Sequence, residues 1–295
     1  MSRLNGILLV DKSEGCSSAE VVRVVKRKLA VDKIGHIGTL DPFATGLLPL
    51  CLGTGTKIAQ FLTAQRKTYT GTIRLGIETE TLDATGTITR TAPVPPCGPE
   101  ILRELQQRFS GESWQTPPMY SALKRQGIPL YKLARDGVVV EREARKVMIE
   151  ELTLVQTGED TLSFSLSCSK GTYIRSLAAD FGTALGCGAH LVTLRRTACG
   201  RFSVSQALPF SLLSDWATED PLPLLSLTQA LRDYRAIAVS SETAEQLRHG
   251  QQEVLRDLPN AEAVDETVRL LSLDEGELVA MAEWRQGRWQ LVRVF

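Results

Sequence analysis

The chain reads as an α/β (α+β) protein, a large mixed domain followed by a small, mostly β appendage. Two patterns predict this. Up to about residue 205, strand-like apolar runs alternate with helical stripes. Beyond a break near residues 208–228, marked by Pro209, Pro221 and Pro223, strand patterns follow with one short helix. A length of 295 residues is enough for one large domain plus a small one.

The elements follow in order. Leu4 to Val10 is an apolar run that suits a strand, and Asp11-Lys12-Ser13-Glu14-Gly15 turns the chain. Ser17 and Glu20 fit a capping box, and Val21, Val22, Val24, Val25 and Leu29 form a helical stripe with Arg and Lys on the other face. A glycine-rich loop around Asp41 comes next, then the apolar stretch Leu47 to Leu52. After a turn at Gly53-Thr54-Gly55-Thr56, Lys57 to Leu62 reads as helix, and Lys67 to Ile77 alternates like a strand. Pro99 at a first helical turn introduces Ile101, Leu102, Leu105 and Phe109 at helical spacing. Trp114 to Tyr120 reads as a proline-containing loop leading into a basic segment. Val147 to Val155 and Leu162 to Cys168 read as strands, and Tyr173 to Leu185 as a helix stopped by Gly186. Leu191 to Thr197 returns to strand. In the appendage, Glu242 to Arg248 is a short helix ended by Gly250. Strands at Val268 to Leu273, Leu278 to Glu283 and Trp289 to Phe295 complete the chain, the last two joined across Gln286-Gly287.

Composition narrows the function. An apolar fraction of 43% with 23% charged residues is ordinary for a globular chain. No apolar run approaches the roughly 18 residues of a membrane span. The N-terminus lacks a signal-peptide pattern, which implies a cytoplasmic protein. The six cysteines form no Cys-x-x-Cys pair, and there are only three histidines, so neither a zinc site nor any other metal site is expected. The net charge of zero hides an uneven distribution. Residues 121–146 carry seven Lys and Arg against three acids, whereas residues 240–295 carry six Arg against eleven acids. A basic segment on a neutral chain suggests a local polyanion footprint.

The most informative stretch is His36 to Pro49, where Asp41 sits among Gly38, Gly46, Pro42 and Pro49 with apolar residues on both sides. Glycines permit turns that other residues resist, and Pro42 biases Asp41 toward an extended backbone. The expected result is a stiff loop holding one carboxylate against an apolar wall. Other chemistries fit less well. Gly53-Thr54-Gly55-Thr56-Lys57 lacks phosphate-loop spacing, and no Gly-x-Gly-x-x-Gly follows a strand. No Ser or Cys nucleophile motif stands beside a His, and the other carboxylates to consider, Glu80 and Asp83, are distant in sequence. A second segment, Lys170 to Ala178, places Arg175 two residues after Tyr173 at a strand-to-helix junction.

Together these pieces resemble the TruB family of tRNA pseudouridine synthases. Asn5-Gly6-Ile7 with Asp11-Lys12, Gly35 to Pro49, Lys67-Thr68-Tyr69, Pro117-Pro118-Met119-Tyr120-Ser121-Ala122 and Lys170 to Leu177 stand in the family's order. Leu194-Arg195-Arg196-Thr197 with Gly200 and Phe202 completes the match. It spans residues 4 to about 205, and the C-terminal piece looks less distinctively like the family's PUA-type RNA-binding domain. Ser13 and Ser17 stand where the family usually shows Pro and Thr. Ser17 keeps the hydroxyl, and Ser13 leaves its loop less stiff.

The resemblance implies a pseudouridine-synthase catalytic domain over residues 1–228, with a central mixed or antiparallel sheet flanked by helices. It further implies an RNA-clamp insertion at about 117–146 and a PUA-like domain over 229–295. The implied activity is conversion of uridine to pseudouridine at position 55 in the T-loop of tRNA, with base flipping and no cofactor. The implied partner is the tRNA T-arm, with no membrane and no obligate protein partner. Asp41 matches the catalytic Asp, which attacks the anomeric carbon, attacks carbon six of the base, or abstracts a sugar proton; all three remain open. Burial can raise a carboxyl pKa by about 3–5 units from about 3.9, and Arg175, matching the family's Asp-pairing Arg, would counter that. Tyr69 matches the tyrosine that stacks on the uracil, and Tyr173 fits the pocket wall. His36 matches the histidine that fills the vacated space after the base flips. Gly38, Thr39, Leu194 and Lys57 join them as substrate-binding residues, and Lys124, Arg125, Lys132 and Arg135 as the clamp on T-arm phosphates. Two alternatives compete: an RNA-binding or RNA-folding protein that turns over poorly, and a base-exchanging glycosyltransferase. Intact Asp41, Tyr69 and Arg175 favour catalysis over binding alone, and the lack of a zinc-type Cys/His cluster argues against exchange.

Overall fold

The computed structural model describes residues 4–213 and 222–295. Pro221, one of the three boundary prolines, lies outside the described residues. The chain runs β1 (Gly6–Lys12), α1 (Ser18–Lys28), β2 (Ile34–His36), β3 (Thr45–Leu52), a 3-10 turn (Gly53–Ile58) and α2 (Ala59–Thr63). It continues through β4 (Lys67–Leu75), β5 (Ile77–Thr79), β6 (Ile88–Thr91), α3 (Pro99–Phe109) and β7 (Gly111–Gln115). The basic segment holds β8 (Lys124–Arg125), β9 (Ile128–Pro129) and α4 (Leu130–Arg135). Then come β10 (Arg145–Gly158), β11 (Thr161–Cys168), α5 (Ile174–Ala184), β12 (Ala189–Cys199), β13 (Phe202–Ser203) and β14 (Leu208–Pro209). The remainder is β15 (Leu224–Leu225), α6 (Leu227–Ala230), β16 (Arg235–Val239), α7 (Ser241–Arg248), β17 (Thr267–Ser272), β18 (Leu278–Arg285) and β19 (Arg288–Val294).

The main sheet has eleven strands in the order β14-β1-β3-β12-β4-β11-β10-β7, with β2 on β3, β13 on β12 and β15 on β1. Most pairs are antiparallel, but β12 runs parallel to β3 and β1 to β14. Central β3 is buried along nearly its whole length, which is why Leu47 to Leu52 shows no alternation. Its Leu48, Leu50 and Leu52 join the cluster that receives Val21 and Val25 of α1 and Leu177 and Phe181 of α5. Its Leu47 and Cys51 belong to a second cluster.

Local signals place the helix ends. Ser17 accepts a hydrogen bond from the Glu20 N–H at 3.1 Å and caps α1, a contact typically worth about 1 kcal/mol. Pro99 opens α3. Other boundaries differ from expectation. The stretch expected as one helix over Lys57 to Leu62 divides, because the 3-10 turn that opens at Gly53 runs on through Lys57 and Ile58 before α2 begins at Ala59. The strand expected over Lys67 to Ile77 breaks at Gly76, after which β5 leaves the main sheet to pair with β6. Trp114, expected in a loop, lies in edge strand β7 opposite Lys146 and is 72% exposed. An edge strand with one wet face carries too little apolar pattern to be read.

Strands β16-β17-β18-β19 form a second sheet, in which β16, absent from the sequence reading, pairs in parallel with β17. This sheet is not a separate bead. Leu278 and Met281 of β18 join Ile7, Leu9, Leu47 and Phe61 in the second apolar cluster. The chain at the break is stitched to the main sheet, since β14 and β15 both pair with β1.

Candidate active site

The loop between β2 and β3 carries Asp41, and three groups hold it. Lys12, fully buried at the end of β1, donates to the carbonyls of Ser13 (2.9 Å), Cys16 (2.7 Å) and Pro42 (3.2 Å). The Gly15 N–H donates to the same Pro42 carbonyl at 2.8 Å. Ser18, in the first turn of α1, bonds both the carbonyl (3.0 Å) and the N–H (2.9 Å) of Leu40. The Ser13 turn, expected to be less stiff without proline, is therefore tied down by the Lys12 ammonium. The third group is Arg196 of β12, whose guanidinium donates to the carbonyls of Leu47 (2.7 Å) and Gly38 (3.0 Å). It also explains the two glycines. Both Gly38 and Gly46 have positive φ (77° and 101°), and a Cβ would lie 3.1 Å from the Arg196 guanidinium at the first and 2.3 Å from its carbonyl oxygen at the second.

Arg175 sits in the first turn of α5, where Tyr173 precedes it as N-cap. Gln115 of β7 fixes that helix start, accepting from the Tyr173 N–H at 2.7 Å and donating to its carbonyl at 3.0 Å. The Arg175 side chain, 5% exposed, uses every part of its fork. Nε meets Asp41 Oδ2 at 2.9 Å, Nη1 donates to the Thr81 carbonyl at 2.9 Å, and Nη2 donates to the Tyr120 carbonyl at 2.8 Å. Nη1 also lies 3.5 Å from Asp83 Oδ2. Asp83 is itself anchored, its Oδ1 accepting from the Thr81 hydroxyl (2.7 Å), the Thr85 hydroxyl (2.6 Å) and the Thr85 N–H (3.0 Å). One guanidinium thus bridges two carboxylates. Asp83, distant from Asp41 in sequence, is folded back onto its partner. Glu80 returns too, accepting from the Tyr120 hydroxyl.

Burial pushes the Asp41 carboxyl above its ordinary value; Arg175 and Lys12 pull it down, and Asp83 pushes it further up. Burial also raises the Tyr69 hydroxyl, with the Arg196 guanidinium beside it opposing, so Tyr69 rests neutral. The His36 ring is pushed down by burial and by Arg196, and its Nδ1 is buried without a hydrogen-bond partner. Arg196 therefore stands beside Gly38 and Tyr69 and acts electrostatically on His36, and His36 and Gly38 precede Asp41 by five and three residues. Leu194 is buried opposite Gly71 and lines an open groove of about 350 Å³ with Glu14, Phe43, Thr45, Thr70 and Arg195. Thr39 is exposed.

Lys57 is not part of this gathering. Its ammonium donates to the Val294 carbonyl at 3.1 Å and lies 5.7 Å from the Phe295 ring centroid. It follows the far end of β3 from Asp41, about 20 Å along the strand. The sequence linked the two only through the family resemblance, and strand length keeps them apart. The clamp cations Lys124, Arg125, Lys132 and Arg135 are all exposed or half-exposed, and none makes an ion pair among the described residues. Arg125 donates to the Glu141 carbonyl at 3.0 Å, and Arg135 stacks 5.6 Å from the Tyr131 ring centroid. Their segment starts at Tyr120, whose carbonyl Arg175 holds. Among the described residues no group of three or more His, Cys, Asp or Glu side chains could hold a metal ion.

Two functional contributors escaped sequence reasoning as individual residues, and a third, Asp83, was named there without a role. Lys12 and Arg196 entered only inside motifs, although a charged residue on the core face of a strand pattern was a usable signal. The signal for Asp83 was Thr81-x-Asp83-x-Thr85, a spacing in which hydroxyls and an N–H can wrap one carboxylate.

The family model described as TruB family pseudouridylate synthase (N terminal domain) matches residues 26–174, and that described as tRNA pseudouridylate synthase B C-terminal domain matches residues 175–234. A tRNA pseudouridine synthase B of Francisella philomiragia subsp. philomiragia is 42% identical over 288 residues, covering 97% of this chain and 93% of that one. Its namesake in Geobacter sulfurreducens is 39% identical over 303 residues, covering 99% and 100%. The crystal structure of a Cbf5-Nop10-Gar1 complex shares the fold, with a TM-score of 0.73 at 23% identity, covering 98% of this chain and 84% of that one. The chain belongs to the TruB family of pseudouridylate synthases.

Proposed function

We propose that this protein isomerises uridine to pseudouridine at position 55 in the T-loop of tRNA, without a cofactor, and that Asp41 is its catalytic carboxylate. The observation that carries the reading is the Asp41–Arg175 pair at 2.9 Å, an acid held at a defined place by a buried guanidinium. The reaction breaks the glycosidic C–N bond, turns the uracil and forms a C–C bond, so no electron or group is gained. What it asks of the protein is an ionised carboxylate in a dry pocket. Burial works against ionisation, and the Arg175 guanidinium favours it. Whether Asp41 attacks the anomeric carbon, attacks carbon six or abstracts a sugar proton, it must be anionic first.

The target base leaves its stack at a cost of a few kcal/mol. His36, held neutral at the base of the Asp41 loop, is the side chain we assign to the vacated space. Tyr69 supplies a flat face for the uracil, with Tyr173, Leu194, Gly38 and Thr39 around it. Lys124, Arg125, Lys132 and Arg135 face T-arm phosphates, and none of them has an acidic partner among the described residues. In this reading residues 1–228 form the catalytic domain, about 117–146 its clamp, and 229–295 a PUA-like domain, in a cytoplasmic enzyme. Incubation of the full chain with unmodified tRNA, followed by mapping of pseudouridine, tests the reading. The expected product is pseudouridine at position 55 with wild type and none with Asp41→Asn. Tight tRNA binding without pseudouridine would make the protein an RNA-binding or RNA-folding factor instead.

A further inference from the structure

Helix α1 has a face that the core does not use. Ser18, Val21 and Val25 are buried. The outward stripe at helical spacing is Ala19, Arg23, Lys26, Arg27 and, just past the helix, Ala30, while Val22 beside it packs against the core. With Val22 and the exposed Asp32, these residues line an open groove of about 670 Å³, floored by Val31, in which three cations outnumber the one acid. Arg23, Lys26 and Arg27 are exposed, and none makes an ion pair among the described residues. Cations in a last helical turn complement the helix dipole. That accounts for Lys26 and Arg27 but not for Arg23, which lies in the middle of the helix.

The position of the stripe matters as much as its charge. It begins at Ala19, next to the Ser18 hydroxyl that holds Leu40, the neighbour of Asp41. It then runs about 14 Å away from the loop along α1. In the sheet, α1 belongs to the β1–β3 side, whereas the basic segment of residues 121–146 connects β7 and β10 at the other end. The two cationic surfaces therefore flank Asp41 from opposite ends. The whole chain has a formal net charge of zero, so a polyanion must be held by local patches of this kind.

We infer that the Arg23–Lys26–Arg27 face of α1 is a second RNA-contacting surface, taking phosphates of the tRNA body outside the T-arm. This inference rests on the proposed function. If the T-arm is held on the Tyr120 side with its target uridine at Asp41, α1 lies toward the opposite end of the sheet, where RNA outside that grip would meet it. The small Ala19 and Ala30 leave room for a sugar–phosphate backbone to approach the three cations.

The test compares two RNAs, unmodified full-length tRNA and the isolated T-arm stem-loop, binding to wild type and to the double variants Arg23→Gln/Arg27→Gln and Arg23→Glu/Arg27→Glu. With full-length tRNA, the Gln variant leaves two phosphates without their cations. It is expected to lower the slope of log K against log salt by about 1.5 and to weaken binding severalfold at moderate salt. The Glu variant is expected to weaken it further. Affinity for the stem-loop, and pseudouridine formation in it, should match wild type, which also shows that the variants fold. An equal loss on both RNAs would overturn the inference, because the face would then belong to the T-arm grip. No loss on either would overturn it too, leaving the cations as a helix cap or as a contact for an acidic protein. Failure of wild type to form pseudouridine in either RNA would sink the proposed function separately.

Discussion

The network around Asp41 and the basic segment of residues 121–146 both rely on arginine, and they use it in opposite ways. Arg175 is buried, and each of its three side-chain nitrogens has a partner. Asp41, Asp83 and two backbone carbonyls share its fork. Arg125 and Arg135 stand toward solvent and keep most of their donors there. A buried guanidinium bonded at every nitrogen holds one geometry and shifts the proton affinity of its neighbour. An exposed one contributes charge that salt screens and a ligand can reorganise. Geometry at Asp41 and charge on the clamp are thus expected to separate in experiment.

The largest separation should come from Asp41→Asn. Turnover is expected to fall at least about a hundredfold, the lower bound for a group that transfers a proton, while tRNA affinity barely changes. Residual turnover near wild type in a pseudouridine-formation assay would break the comparison at its first point. Arg175→Lys keeps a charge but loses the planar fork. Charged hydrogen bonds are worth about 1.5–3 kcal/mol, so a slowing of about 10- to 150-fold in single-turnover chemistry is expected, with a smaller change in binding. A defect confined to affinity would mark Arg175 as a phosphate contact.

Next in size is the pH dependence. Because burial raises the Asp41 pKa, the acid limb of the single-turnover rate should lie above the ordinary carboxyl range of about 3.9. Arg175→Gln removes the opposing cation and should move that limb to still higher pH. The same shift enters stability. The native state binds this proton more tightly than the unfolded chain does. Asp41's contribution is therefore fully present below its ordinary pKa and is lost as pH rises through the folded value. Thermal melts of Asp41→Asn across that window should lack this decline. An identical decline in the variant would place the titration on another group.

The clamp should answer to salt instead. Neutralising any one of Lys124, Arg125, Lys132 or Arg135 is expected to lower the log K against log salt slope by about 0.7–0.9, with turnover on saturating tRNA preserved. The smallest effect is expected at exposed Arg288 of β19, since residues 240–295 carry more acids than bases. A salt slope that drops more for Arg288→Gln than for the clamp variants would move the main RNA grip to the second sheet. Point substitution is the right tool there. Removing that sheet would strip Leu278 and Met281 from a cluster shared with β1 and β3.

Much of this was legible in the sequence because it is local. The cap at Ser17, the proline start of α3, the stop at Gly186 and the hairpin at Gln286-Gly287 each depend on the conformational limits of a few adjacent residues. The Asp41 loop belongs to the same class, since its glycines and prolines restrict the backbone wherever the loop is placed. Edge strand β7 and the parallel β16 were missed where the apolar pattern was too short to carry a period.

What only the tertiary structure decided is which distant residues meet. The sequence by itself determined that Asp41 would be held stiffly, that Arg175 would open a helix and that a basic segment would stand apart. Strand order then placed Asp83 on the free side of Arg175, ran Arg196 under both glycines of the Asp41 loop and sent Lys57 to the C-terminal strand. It also gave the second sheet a shared core with the first. Periodicity reports which face of a strand is buried, but not which strand lies beside it. That choice is made by closing long loops against a common apolar surface, and its energy belongs to the assembled sheet rather than to any segment.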